Sequence, residues 1–292
     1  MVTFEELSNI RAENPEAIRD ALRSRKRREL LSDDGRLFIV AADHPARGAV
    51  GVGSDPQAMS SRRELLDRLA LALSKPGVDG VLGTPDIIDD LALMGLLDNK
   101  IVVGSMNRGG LRGSVFEYDD RYTAYTIPRI VEDGLDFAKN LVRVNLEDPA
   151  TVRTLEHSAK AVDMAAEAKV PLMLEPFMST WVDGKAHNDL SADAVALSIS
   201  IAQGLGASSA YSWLKVPVVE GMERVMEATT LPTLLLGGET HGRLDSAFAS
   251  WQSALTLPGV RGLVVGRSLL YPADGNVEQA VEIAAAMVHP HH

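Results

Sequence analysis

The sequence predicts an α/β protein, a closed (β/α)8 TIM barrel with an N-terminal helical extension, and three observations carry that prediction. Eight short apolar segments recur along the 292 residues. Each is followed by a longer amphipathic stretch, and the segments are continuous apolar runs rather than alternations. Continuous runs suit strands buried on both faces, the condition of a parallel sheet covered by crossover helices. Eight such units in a chain of this length match the closed barrel.

Taken in order, a helical pattern over roughly Phe4 to Leu31 precedes the first strand and is expected to cover the barrel's bottom. The chain therefore reads as one domain, with residues 1–34 as extension and 35–288 as barrel. RLFIVAA (36–42) is the first strand, followed by a helix from about Ser60 to Leu73. VDGVLG (78–83) leads to PDIIDDLALMGLL, and KIVVGS (100–105) leads through a glycine and aromatic loop to a helix ending near Asp136. NLVRVNL (140–146) precedes the helix Ala150 to Ala168, and VPLMLEP (170–176) precedes SADAVALSISIAQGL. SWLKVPV (212–218) runs into VEGMERVMEA, PTLLLGG (232–238) into a helix from Leu244 to Leu255, and GLVVG (262–266) into a last helix from about Asn276 to Met287. A doubly wound sheet is the main rival, but it needs GxGxxG directly after its first strand. Here AADHPARGAVGVG puts Asp43 and His44 in that place, and the GxG of Gly51 to Gly53 comes too late.

Composition narrows the partners. Lys+Arg number 29 against 40 Asp+Glu, a net charge of -11, which argues against nucleic-acid binding and adsorption to anionic membranes. A small molecule is the expected ligand. The chain has no Cys, which removes disulfides, thiolate metal sites and cysteine nucleophiles. MVTFEELSNIRAENPE lacks the order of a signal peptide, and no apolar run approaches the ~18 residues of a membrane span. A cytoplasmic location is expected.

The active-site face of a barrel lies at the C-terminal ends of its strands. Those ends carry Asp43 and His44, Thr84 and Asp86, Asn107 and Arg108, Arg143 and Asn145, Glu175, Lys215, Gly237 and Gly238, then Gly266 and Arg267. HExxH and GxSxG are both absent, so neither a metal site nor a serine elbow is expected, and no cofactor is implied. Lys215, alone in the apolar run YSWLKVPVV, is the leading catalytic candidate. A neutral amine adds to a ketone to give a Schiff base, and burial or a neighbouring cation favours the neutral form of a lysine. Lys139, at the start of the fourth strand, is either that cation or a helix-end or bottom-face charge. Glu175 and Asp43 are either helix caps and ion-pair partners or the proton carriers that imine chemistry requires. Gly237, Gly238, Gly266 and Arg267 form an anion-binding candidate, with backbone N–H groups and a guanidinium for phosphate. Arg143 and Arg108 are candidates for reading a second anionic group.

At these residues, from about Leu37 to Tyr271, the chain resembles the class I aldolases of the tagatose 1,6-bisphosphate and deoxyribose-phosphate aldolase superfamily. DFAKNLVRV resembles the strand-four motif, PLMLE the strand-five motif, WLKVPVV the strand-six motif and GVRGLVVGR the end of the barrel. The resemblance implies a metal-independent lysine imine on Lys215, with Lys139 and Glu175 beside it, and a homo-oligomer. Two departures stand out: DHPARG replaces a D-Q-R-G-like run, so Arg47 reaches its place only through an insertion, and VPVV lacks a glutamate after the lysine. The chain also resembles an actinobacterial aldolase-like group found beside inositol-catabolism genes. That likeness implies cleavage of 6-phospho-5-dehydro-2-deoxy-D-gluconate to dihydroxyacetone phosphate and malonate semialdehyde. A transaldolase or a sulfosugar aldolase would use the same lysine, and a non-catalytic barrel acting as a regulatory or interaction protein is the rival from another class.

Overall fold

Every predicted apolar run is a strand in the computed structural model, which describes residues 2–237 and 244–290. The strands are β1 (Leu37–Ala41), β2 (Gly80–Gly83), β3 (Ile101–Ser105), β4 (Phe137–Val144), β5 (Leu172–Val182), β6 (Lys185–Asn188), β7 (Ser212–Pro217), β8 (Thr233–Leu236) and β9 (Val260–Val265). All except β6 pair in parallel in the order β4-β3-β2-β1-β9-β8-β7-β5, and the β4–β5 pairing closes the barrel. The β1–β9 seam needs glycine. A Cβ on Gly266 would lie 2.0 Å from the Ala41 carbonyl oxygen, and one on Gly262, at φ +131, would lie 1.9 Å from that of Leu37.

Residues two apart point to the same face of a strand. That period sorts the barrel wall. Leu37, Ile39, Ala41, Ile101, Val103, Phe137, Met173 and Trp213 form a buried cluster distinct from the one that the helices share with the strands' other faces. Within it the Phe137 and Trp213 rings meet edge to face at 5.4 Å. Continuing the same phase upward brings Asp43, Ser105, Lys139, Glu175 and Lys215 into one layer above an apolar floor.

The crossover helices are α3 (Arg62–Ser74), α4 (Pro85–Leu93), α5 (Ile127–Glu132), α6 (Ala150–Ala168), α7 (Ala192–Gln203), α8 (Met222–Glu227), α9 (Leu244–Ala254) and α11 (Val277–Val288), with a single extra turn, α10 (Arg267–Leu270), after β9. Among the described residues no helix is long and apolar enough to cross a membrane. The predicted N-terminal helix is a correction. It breaks into α1 (Phe4–Glu13) and α2 (Glu16–Ser24) because Pro15 disfavours helical backbone at Asn14, which sits at φ -145. Beyond Ser24 the chain is not helical, because its arginines turn inward to the strand starts. Arg25 donates to the carbonyl oxygens of Lys100 (3.0 Å) and Gly134 (2.6 Å) and to Asp136 Oδ2 (2.7 Å), and Arg28 pairs with Asp79 at 2.5 Å. Leu30 and Leu31 pack against the interior cluster. This segment, rather than a helix, covers the bottom.

Two loops shape the top. The connection from β3 to α5 is held by Arg47, which donates to the carbonyl oxygens of Gly110 (2.6 Å) and Asn107 (2.7 Å) and pairs with Asp120 at 2.5 Å. β5 runs past Pro176 to Val182 and returns antiparallel as β6 through Asp183 and Gly184, both at positive φ (50 and 72). Positive φ at both central residues is the two-residue hairpin turn that Asp-Gly favours.

Candidate active site

At the top of the barrel, charged side chains alternate in sign along a line of contacts. Lys215 Nζ lies 2.8 Å from Glu175 Oε1, and Glu175 Oε2 lies 2.5 Å from Lys139 Nζ. Lys139 Nζ lies 3.2 Å from Asp43 Oδ2, which Arg108 Nη1 reaches at 3.1 Å and the Ser105 hydroxyl at 3.0 Å. A second Arg108 N–H donates to the Asp43 carbonyl. β1, β4, β5 and β7 each contribute one of the four ionisable groups named from the sequence, and all four are buried. Lys139 is the third residue of β4 and faces inward, so the bottom-face alternative for it falls.

Burial of this kind is costly unless each charge has a partner. Burial alone would raise the pKa of Glu175, but Lys139 and then Lys215 outweigh it and hold the carboxyl at about 2. Asp43 behaves the same way: burial opposes ionisation, yet Lys139 and then Arg108 outweigh it and hold the carboxyl well below the usual carboxylate range. Lys139 is pressed downward by burial, against the pull of Asp43 and Glu175. The carboxylates are therefore ionised at neutral pH, each lying between two basic side chains.

The remaining predicted residues divide. Arg108 braces Asp43 from its side chain to its carbonyl. Arg143 Nη1 pairs with Glu117 at 2.5 Å and its other N–H donates to the Glu117 carbonyl at 2.9 Å. Each of the two arginines is therefore already paired with a carboxylate. Arg267 opens α10 directly after Gly266, and its charge is felt at His44. Gly237 ends β8 at a close approach, since a Cβ there would lie 2.5 Å from Val265 Cγ1. Gly238 lies outside the described residues.

Several residues went unassigned in the sequence. Ser105 is one step beyond Val103 in the inward phase and was legible by that count. Asn107 spans β3 and β4, with its amide donating to the Leu141 carbonyl (2.5 Å) and its oxygen accepting from the Leu141 N–H (2.8 Å). Glu117 and Asp120 come from a loop without periodicity and carried no signal. Among the described residues no group of three or more His, Cys, Asp or Glu side chains is placed to hold a metal ion.

The comparisons with known proteins agree on the architecture. The crystal structure of Cgl0159 from Corynebacterium glutamicum superposes with a TM-score of 0.96 at 64% identity, covering 98% of this chain and 97% of that one. Two more distant structures share the fold: an archaeal fructose-1,6-bisphosphate aldolase with its catalytic Lys covalently bound to the carbinolamine intermediate, and a fructose-bisphosphate aldolase from Slackia heliotrinireducens. The archaeal enzyme is 17% identical with a TM-score of 0.64, covering 93% of this chain and 99% of its own. The Slackia enzyme is 15% identical with a TM-score of 0.66, covering 100% and 90%. No curated protein matches the sequence. The Cgl0159-like family model matches residues 35–285, the span of the barrel and its charged layer, and this chain belongs to that family.

Proposed function

We propose that this barrel is a class I aldolase that cleaves a phosphorylated or otherwise anionic ketose through an imine on Lys215, without a metal. The observation that carries the reading is the buried line Lys215, Glu175, Lys139, Asp43, with one carboxylate touching both amines. Lys215 is the nucleophile and Lys139 its neighbour, because Lys139 is clamped between two carboxylates with a side chain 2% exposed. Lys215 has one carboxylate partner and is 5% exposed. Lys139 and Arg108 already match the two carboxylates in charge. The fold shared with an aldolase captured as a lysine carbinolamine supports the same chemistry.

The Lys215 amine adds to the ketone carbon, and the carbinolamine must then gain a proton and lose water. Glu175 lies within hydrogen-bond reach of both lysine nitrogens and is placed to move that proton. The iminium draws the electron pair of the breaking carbon-carbon bond into an enamine, the aldehyde leaves, and protonation and hydrolysis release the ketone. Gly237, Gly238, Gly266 and Arg267 are assigned to the anion. Within this class the resemblance to the group beside inositol-catabolism genes nominates 6-phospho-5-dehydro-2-deoxy-D-gluconate.

The test is borohydride reduction with a panel of ketose phosphates, followed by peptide mapping. The expected result is a mass adduct on Lys215. An enzyme that takes up no adduct from any of them, with native fold, is the non-catalytic barrel instead.

A further inference from the structure

His44 has no part in that scheme, yet it sits beside it. It follows Asp43 at the end of β1 and precedes the short turn Pro45–Arg47. Its side chain is 24% exposed, but Nδ1 is buried without a hydrogen bond and faces Asp43 Oδ1 at 3.8 Å. Buried polar atoms are nearly always paired, so this one calls for an explanation. The charges around the ring are Asp43, Arg267, Lys215 and Arg108. Burial is the largest influence and presses the imidazole down to about 3; Asp43 pulls the other way, and Arg267, Lys215 and Arg108 act with burial. The ring is therefore neutral at neutral pH, with one N–H and one lone pair. A carboxylate beside Nδ1 favours the proton there, leaving the lone pair on Nε2, since the exposed part of the ring is not the Nδ1 edge.

We propose that His44 is the base that takes the hydroxyl proton of the bound ketose as its carbon-carbon bond breaks, and the acid that returns it in the condensation direction. This rests on the Lys215 imine. The hydroxyl in question stands on a carbon two bonds from the imine carbon, so a group serving the nitrogens is poorly placed for it. Both Glu175 oxygens are engaged, by Lys139 and Lys215, and Asp43 Oδ2 is engaged by Lys139, Arg108 and Ser105, which leaves Asp43 Oδ1 facing His44 Nδ1. In the step, the hydroxyl proton passes to Nε2 and the O–H pair forms the aldehyde carbonyl. The carbon-carbon pair becomes the enamine double bond, and the C=N pair returns to nitrogen. One positive charge thus leaves the Lys215 nitrogen and one appears on His44. A cation at Lys215 is among those that hold His44 neutral, so cleavage removes that repulsion as the proton arrives, and Asp43 steadies the imidazolium.

The experiment compares wild type with His44→Gln and His44→Ala, first confirming unchanged thermal unfolding. Dihydroxyacetone phosphate serves as donor, malonate semialdehyde and glyceraldehyde 3-phosphate as acceptors, and the corresponding ketose phosphates as cleavage substrates. We expect carbon-carbon cleavage and formation to fall about 100- to 10,000-fold, the usual worth of a positioned acid-base group. The borohydride-trapped Lys215 adduct with dihydroxyacetone phosphate should persist in both variants, and the acid limb of the kcat profile should vanish in His44→Gln. Retention of cleavage within a few-fold overturns the proposal, and so does loss of adduct in step with cleavage, which would make His44 a binding or structural residue. Wild type without adduct, or without carbon-carbon turnover in either direction, overturns it through the Lys215 reading, an outcome distinguishable from the variants' failure.

Discussion

Glu175 and Lys139 form a 2.5 Å ion pair between Oε2 and Nζ, while the other oxygen of the same carboxylate holds Lys215 at 2.8 Å. One carboxylate therefore sets the position of both amines. Glu175→Gln keeps the shape and removes the charge, leaving Asp43 alone to face the two lysines. Breaking a buried pair from one side costs about 3–5 kcal/mol, so urea unfolding should show a loss of that order. Adduct formation on Lys215 should slow about 100-fold or more, because the proton carrier at nitrogen is gone. An adduct rate within a few-fold of wild type would mean that Glu175 serves only the fold.

The same carboxyl predicts an acid limit. Its value in the folded protein is about 2 against an ordinary 4.5, a depressed group. Its stabilising effect is fully present above pH 4.5 and drains away as pH falls from there toward 2. Asp43, also depressed, adds to the loss in the same direction. Wild type should lose more stability than Glu175→Gln between pH 5 and 3, as read by chemical denaturation. Parallel losses would locate the acid sensitivity elsewhere.

The two lysines are separable by substitution. Lys215→Met keeps length and apolar fit, and this protein should fold but take up no adduct. Lys139→Met should still form the adduct on Lys215, more slowly, since Glu175 loses the partner that orients it. A wild-type adduct mapped to Lys139 would exchange their roles.

Arg267→Ala tests the anion. Loss of a charge-assisted contact should lower kcat/KM strongly for a phosphorylated ketose and much less for its unphosphorylated analogue. Equal losses on both would make the arginine structural. Exhaustive EDTA treatment should leave wild-type activity intact, and loss restored by zinc would remove the imine mechanism.

Much of the barrel and its charged layer was legible because both depend on the two-residue period of strands. Leu37, Ile39 and Asp43 share a phase, as do Phe137 and Lys139, Met173 and Glu175, and Trp213 and Lys215. What the sequence hid depends on partners far along the chain. Arg108 and Arg143 read as anion readers because their carboxylates, Asp43 and Glu117, lie 65 and 26 residues away. The run RSRKRREL looks helical by composition, and only the strand starts it reaches explain why it is not. The Asp183-Gly184 turn was readable but passed unread, since β5 was expected to end at Pro176.

The segment that follows α2, with Arg25 fastened to the backbone before β3 and β4, occupies the end of the barrel opposite the charged layer. On the proposed mechanism the ketose reaches Lys215 from the strand-end side of the barrel, where His44 also lies. The ketone fragment stays covalently bound to the lysine as the enamine after cleavage, so the aldehyde leaves before the ketone is hydrolysed off. Steady-state kinetics should then be ordered in release, with the ketone a competitive inhibitor against the ketose and the aldehyde a noncompetitive one.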